Sequence, residues 1–217
     1  MIAFALALLI AQGDVDYTFS YKADADLKSV TVAGTFNGWN KGANPLKANG
    51  KTWSTTVRLH PGKVQYKFVL NGDKWIQDPA NPKSTDDLQG GYNSYLLVFP
   101  PDYDRPAAKG DDHIAGSALL HDPQSASFLD LDRGQLWFTL RTRPGDIKHV
   151  SVVVGKAHYP LQTMSSDEFY ELDRAGVAWA GRGSVDYVFE LKDGPKARFF
   201  GPKGLTETAD GNRFHVD

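Results

Sequence analysis

Hydrophobic and polar residues alternate with a period of two through most of this chain. In residues 63–70, KVQYKFVL, Val64, Tyr66, Phe68 and Leu70 share one face while Gln65, Lys67 and Val69 share the other. The pattern predicts a strand that buries the first set and points Lys67 away from the core. Residues 52–59, TWSTTVRL, alternate likewise, with Trp53, Thr55, Val57 and Leu59 opposed to Ser54, Thr56 and Arg58. Between the two runs, His60-Pro61-Gly62 predicts a tight hairpin. Farther on, Leu136, Phe138 and Leu140 alternate with Trp137, Thr139 and Arg141. Val150, Val152 and Val154 make a further row, as do Val185, Tyr187, Phe189 and Leu191. No long stretch carries a convincing helical period, so the chain is predicted to be all-β, its short strands and frequent turns arranged as sandwiches.

Alternation stops over residues 99–116, FPPDYDRPAAKGDDHIAG, where prolines, charges and small residues take over. This reads as a linker stiffened by Pro100, Pro101 and Pro106. The predicted organisation is one sandwich over 14–99, a linker over 100–112 and a second sandwich over 113–217. A chain of 217 residues, 41% hydrophobic and 12% aromatic, supplies a core for each half. The opening residues 1–13, MIAFALALLIAQG, hold an apolar run too short for a bilayer, which needs roughly 20 helical residues. Small residues follow it where a signal peptidase would cut, although no Lys or Arg precedes it. The expectation is a signal peptide over 1–13 and a secreted or periplasmic bacterial protein. The chain has no cysteine, hence no disulfides. Lys plus Arg number 24 against 26 Asp plus Glu, so no strong field draws it to nucleic acid or to an anionic membrane. A neutral partner fits better.

Residues 32–40, VAGTFNGWN, place a tryptophan inside a polar turn. Gly and Asn suit such a turn because they tolerate left-handed backbone angles, but an indole gains most when it is buried. Either the loop folds back over Trp39 or Trp39 is offered to a ligand. A second turn, Asn71-Gly72-Asp73, leads into KWIQDP. If Ile76 faces the core, Trp75 faces out beside Lys67 on the neighbouring strand. A sugar ring has an apolar C–H face that stacks on indole and hydroxyls that want charged or amide partners. Trp39, Trp75, Lys67 and a nearby amide supply both. The competing reading is that Trp75 packs on a loop and Lys67 is merely solvated.

Residues 30–98 also resemble a known family through four blocks in order: the F-N-x-W turn, the Y-K-F strand, the W-x-x-D-P segment and the late Y-N-x-Y-L strand. They look like the glycogen-binding module of AMP-activated kinase β subunits, isoamylases and branching enzymes, carbohydrate-binding module family 48. The resemblance implies that Trp39 and Trp75 stack on glucose rings while Lys67 and Asn93 bond the hydroxyls. A family leucine that wedges into the glucan has only a shifted counterpart, Leu88 in Asp87-Leu88-Gln89-Gly90. Tyr92 and Tyr95 read as packing residues. In the second half, His121-Asp122-Pro123, the block RGQLWFTLRT at 133–142 and YVFELKDG at 187–194 resemble the N-terminal immunoglobulin-like domain of neopullulanases, cyclomaltodextrinases and maltogenic amylases, family 34. The two resemblances together imply two consecutive immunoglobulin-like, early-set β-sandwich domains. Trp137 and Trp179 are outward candidates there, read as packing or inter-domain contacts. His121 and Asp122 look like a dyad, but at a domain edge a structural hydrogen bond is the expectation.

Glycoside hydrolysis needs two carboxylates at a fixed separation in a cleft, and amylase-type chemistry sets them on a barrel of about 250 residues. Two sandwiches use the whole chain. The six histidines show no paired metal spacing, and no nucleophile elbow or phosphate loop occurs, so neither metal nor cofactor is expected. The acidic pairs Asp86-Asp87, Asp111-Asp112 and Asp167-Glu168 read as solvated. The expected function is non-catalytic binding of α-1,4-glucan (starch, glycogen or maltodextrin) beside an amylase-type barrel in cis or in trans. The alternative is a free-standing binding or assembly module without glucan affinity of its own.

Overall fold

The computed structural model describes residues 14–181 and 183–217. The expected signal peptide, residues 1–13, lies outside the described residues. Among those described there is no α-helix, only strands and two short 3-10 turns. The chain forms two compact units, one ending at Pro101 and the other spanning Asp102–Asp217.

The first unit contains β1 (Val15–Lys22), β2 (Val30–Gly34), β3 (Lys47–Asn49), β4 (Thr52–Leu59), β5 (Gly62–Leu70), β6 (Lys74–Ile76), β7 (Ser84–Asp86) and β8 (Tyr92–Val98). One sheet runs β1-β4-β3. The other runs β2-β5-β8-β7, with β6 added to β5 beyond the end of β8. Val64, Tyr66, Phe68 and Leu70 are buried between the sheets with Phe19, Val30, Val32 and Leu59. Trp53, Val57 and Ile76 pack against the same core. The alternation in the sequence thus sets which face of each strand is buried.

The expected hairpin at His60-Pro61-Gly62 does not form. β4 pairs with β1 and β3, β5 pairs with β2, β6 and β8, and the short connection carries the chain from one sheet to the other. A type I′ turn needs left-handed angles at both central positions, which Pro61 excludes, and a type II′ turn needs one at His60, where a side chain disfavours it. Both strands still turn their apolar rows inward, but from opposite sides of the core.

Gly34 closes the gap between the β2 end and β5. A Cβ added there would sit 2.3 Å from the Gln65 carbonyl oxygen and 2.7 Å from the Phe36 ring. Gly34→Ala is therefore expected to destabilise this domain by about 1–3 kcal/mol, the usual cost of overpacking, measured as a fall in its urea midpoint.

The second unit contains β9 (Leu129–Asp132), β10 (Gln135–Thr142), β11 (His149–Val154), β12 (Ala157–Pro160), β13 (Gln162–Ser166), β14 (Glu171–Ala178), β15 (Val185–Lys192), β16 (Ala197–Gly201), β17 (Gly204–Thr206) and β18 (Phe214–Val216). A four-stranded sheet runs β13-β14-β10-β9. A six-stranded sheet runs β12-β11-β15-β16-β17, with β18 also on β15. The rows Leu136, Phe138, Leu140 and Val185, Tyr187, Phe189, Leu191 face each other across the core. Both units are immunoglobulin-like β-sandwiches. Most of the proline- and charge-rich segment is docked on this second unit. Asp102 accepts hydrogen bonds from the backbone and hydroxyl of Ser117, and buried Asp193 accepts from the Gly110, Asp112 and Lys148 amides.

Candidate functional site

The turn that carries Trp39 is built by a side chain. Asn37 Oδ1 accepts from the Gly34 amide at 3.0 Å, and its Nδ2 donates to the Val32 carbonyl at 3.1 Å and to Asn44 Oδ1 at 2.7 Å. Gly38 and Trp39 then both take left-handed backbone angles, φ 61° each, and the Trp39 amide donates to the Gly34 carbonyl at 2.9 Å. A left-handed angle costs a residue with a Cβ roughly 1–2 kcal/mol. Trp39 therefore occupies a position that suits glycine or asparagine better, and its indole is only half-buried.

Trp75 reaches the same place from the other side. Asn71 and Gly72 take positive φ and turn β5 back into β6, so that Trp75 pairs with Val69 and Ile76 with Phe68. Ile76 lies on the core, and Trp75 remains 40% exposed on the opposite face. Lys41 Nζ donates to the Gly72 carbonyl at 2.7 Å and to Asp73 at 2.9 Å, tying the two tryptophan-bearing turns together. The indole centroids are 6.4 Å apart, with ring planes inclined at 44°.

The indoles flank a cleft of about 540 Å³ whose floor is the outward face of β5 and β8. All four residues singled out from the sequence, Trp39, Lys67, Trp75 and Asn93, line it. Asn93 is buried, and its Nδ2 donates to Gln65 Oε1 at 3.0 Å. Lys67 is not the solvated lysine of the competing reading. Its ammonium meets Asp87 Oδ2 at 2.8 Å, with side-chain exposures of 19% and 13%.

Asp87 is what the sequence reading missed: its acidic pair with Asp86 was expected to be solvated. Its carboxylate accepts from Lys67 Nζ and from the Gln89 and Gly91 amides, and these hydrogen bonds hold its pKa down to about 2. Gln65 shares the outward face with Lys67 by strand alternation, so the periodicity contained that signal. Nothing local marks Asp87, because its partner lies on another strand. Leu88, directly after the two aspartates, has φ 59° and is 92% exposed beside the cleft-lining Gln89. Tyr92 is exposed instead of packed, while Tyr95 is half-buried with the Lys63 ammonium 4.4 Å above its ring.

The second domain offers no comparable platform at the positions read from the sequence. Trp137 lies against Gly176 under the Arg174 guanidinium, 4.7 Å from its ring, and Trp179 packs against the core. A groove of about 670 Å³ is lined by Lys148, His149, His158, Glu190 and Lys192 among others, with no Trp, Tyr or Phe to make a stacking platform. His121 is buried among Phe128, Tyr187, Phe189 and Phe214. Its Nδ1 lies 2.8 Å from the Thr139 carbonyl and its Nε2 2.7 Å from the Tyr187 hydroxyl. A carbonyl only accepts, so Nδ1 carries the proton and Nε2 accepts from Tyr187. Burial pushes its pKa down to about 4. His121 makes structural hydrogen bonds, but it lies in the core and not at the domain edge where the sequence placed it. Among the described residues no group of three potential metal ligands occurs, and no helix is long and apolar enough to cross a membrane.

Comparison with known proteins agrees with this division. Residues 15–104 match the family described as the glycogen recognition site of AMP-activated protein kinase, and residues 115–216 match the N-terminal immunoglobulin-like domain of alpha amylase. Each domain is thus similar to the family whose model it matches. The chain is 36% identical over 70 residues to protein PTST homolog 2 of Arabidopsis thaliana, covering 32% of this chain and 12% of that protein. Both domains align, at 27% identity over 188 residues, with the 1,4-alpha-glucan branching enzyme GlgB of Corynebacterium jeikeium, covering 83% of this chain and 24% of the enzyme. The solved maltogenic amylase from S. marinus aligns over 94% of this chain and 28% of its own length, with a TM-score of 0.49 and 16% identity. The chain thus spans between 12% and 24% of the length of these curated relatives.

Proposed function

We propose that the glycogen-recognition domain binds α-1,4-linked glucan, as found in starch, glycogen or maltodextrin, across Trp39 and Trp75. The amylase-type domain, in this reading, sets that glucan against a catalytic barrel supplied in cis or in trans. The chain's own part is binding and not bond cleavage. The observation that carries the reading is the pair of inclined indoles, 6.4 Å apart, on a cleft whose remaining lining is amide, hydroxyl and the Lys67–Asp87 pair. Each indole presents a flat apolar face to the C–H face of a glucose ring. Gln65, Gln89, Asn93 and the unused N–H groups of Lys67 meet the hydroxyls. The inclination suits a curved α-linked chain, whereas the flatter β-1,4 chain would suit coplanar rings. The branching enzyme's substrate, named as a 1,4-alpha-glucan, supports the same ligand class.

Few contacts competing with water give an intrinsic Kd on the order of high micromolar to millimolar. Tethering to a barrel raises the effective substrate concentration instead of the intrinsic affinity. Native affinity electrophoresis of the full chain tests the proposal. Retardation is expected in gels containing glycogen or soluble starch and not in gels containing hydroxyethylcellulose; equal mobility in all of them sinks it. Leu88→Ala removes an apolar side chain beside the cleft and should weaken retention only about two- to fivefold, the effect of losing one partly buried aliphatic contact.

A further inference from the structure

We infer that Asp87 makes this cleft selective for uncharged over phosphate-bearing glucan, by holding Lys67 as a hydrogen-bond donor whose charge is cancelled; the inference rests on the glucan-binding reading above. A lone lysine on an aromatic cleft would favour anionic sugars, since a phosphate monoester carries about −1.5 to −2 charges near neutral pH and three strong acceptor oxygens. Lys67 is not alone. Its ammonium is largely enclosed and meets Asp87 at 2.8 Å. The carboxylate is fixed from its other side by the Gln89 amide at 2.9 Å and the Gly91 amide at 2.8 Å. Gly91 is needed for that closure, because a Cβ there would lie 2.7 Å from Asp87 Oδ2.

The pair therefore contributes no net charge to the cleft. Asp87 stays ionised at any ordinary pH because the ammonium and the two amides hold its pKa to about 2. Thr35, Gln65, Gln89 and Asn93 complete the polar lining, and none of them ionises. Beside the cleft, Asp86 adds a negative charge, with its Oδ1 on the Leu88 amide, and Lys41 is already paired with Asp73. A phosphate entering here gives up water and finds no uncompensated cation, which is a net cost. A neutral glucose hydroxyl finds an oriented ammonium with two N–H groups still free. One carboxylate thus supplies both the lysine's position and the discrimination against anions.

The test is retention of the full chain in native gels containing a phosphate-bearing amylopectin or the same amylopectin after phosphatase treatment. The native chain should be held at least as strongly by the dephosphorylated polymer. Asp87→Asn leaves an acceptor for the Gln89 and Gly91 amides but uncovers the Lys67 charge. It should weaken retention by neutral glucan and shift the preference toward phosphorylated glucan about fivefold at low salt, the size of one partly screened charge interaction. Lys67→Gln leaves Asp87 uncompensated and should shift the preference the other way. The double variant carries neither charge and should return to the native ratio. Simple loss of loop structure would lower retention on both polymers together, so opposite shifts report charge. If Asp87→Asn fails to fold, the direction of the Lys67→Gln shift decides alone. A native preference for the phosphorylated polymer, or single variants that leave the ratio unchanged or move it the same way, overturns the inference while glucan binding stands. A native chain held by neither polymer overturns both.

Discussion

Trp39→Gly is expected to abolish glycogen retention while leaving the glycogen-recognition domain as stable as before or slightly more stable. Loss of one central stacking aromatic costs about 2 kcal/mol, or roughly 30-fold in Kd, which takes a millimolar site beyond detection. The backbone effect has the opposite sign. Trp39 sits at φ 61°, where glycine carries no Cβ penalty, and relief of that strain offsets the contact area lost with a half-buried indole. Trp75→Ala should lose binding equally, with a small stability cost because it uncovers its cross-strand partner, buried Val69. Affinity electrophoresis beside urea unfolding separates the two quantities. Matched losses of stability and binding in both variants would make these core tryptophans and favour an assembly module without glucan affinity of its own.

The second large effect concerns pH and the amylase-type domain. His121 titrates near pH 4 in the folded state, against about 6.5 in an unfolded chain. Between those values the unfolded chain binds a proton that the folded domain refuses, so stability is full above about pH 6.5 and falls as the pH drops toward 4. The difference corresponds to about 3 kcal/mol. Its cause is structural: a charged imidazole would be surrounded by aromatic rings, with Nε2 turned from acceptor into donor against a hydroxyl that now donates to it. His121→Gln keeps a donor for Thr139 and an acceptor for Tyr187 but cannot titrate. It should cost about 1–2 kcal/mol at neutral pH, an imperfectly replaced buried polar pair, and flatten the slope between pH 6.5 and 4. Comparing variant with native chain cancels other groups, such as His215, whose pKa is raised by its hydrogen bonds to Asp186 and Asp217. Native-state hydrogen exchange of the β10 and β15 amides reads this domain alone. A slope identical in both proteins would show that His121 does not govern it.

Much of this protein is legible without coordinates. Period-two alternation predicts an all-β chain and assigns Tyr66, Phe68, Tyr187 and Phe189 to cores, because a strand offers only two faces and burial selects the apolar one. Alternation turns Lys67 and Trp75 outward, the polar turn marks Trp39, and the resemblance to the glycogen-binding module adds Asn93; the fold brings all four to one cleft. Three features were decided only by tertiary structure. Strand pairing is a long-range choice, and β4 and β5 enter different sheets although their patterns match those of a hairpin. The left-handed angle at Trp39 depends on hydrogen bonds from Asn37 across the turn. The partnership of Lys67 with Asp87 joins residues on a strand and a loop that approach each other only after β7 and β8 have paired, so an aspartate that reads as solvated in the chain becomes the fixed counter-charge of the cleft.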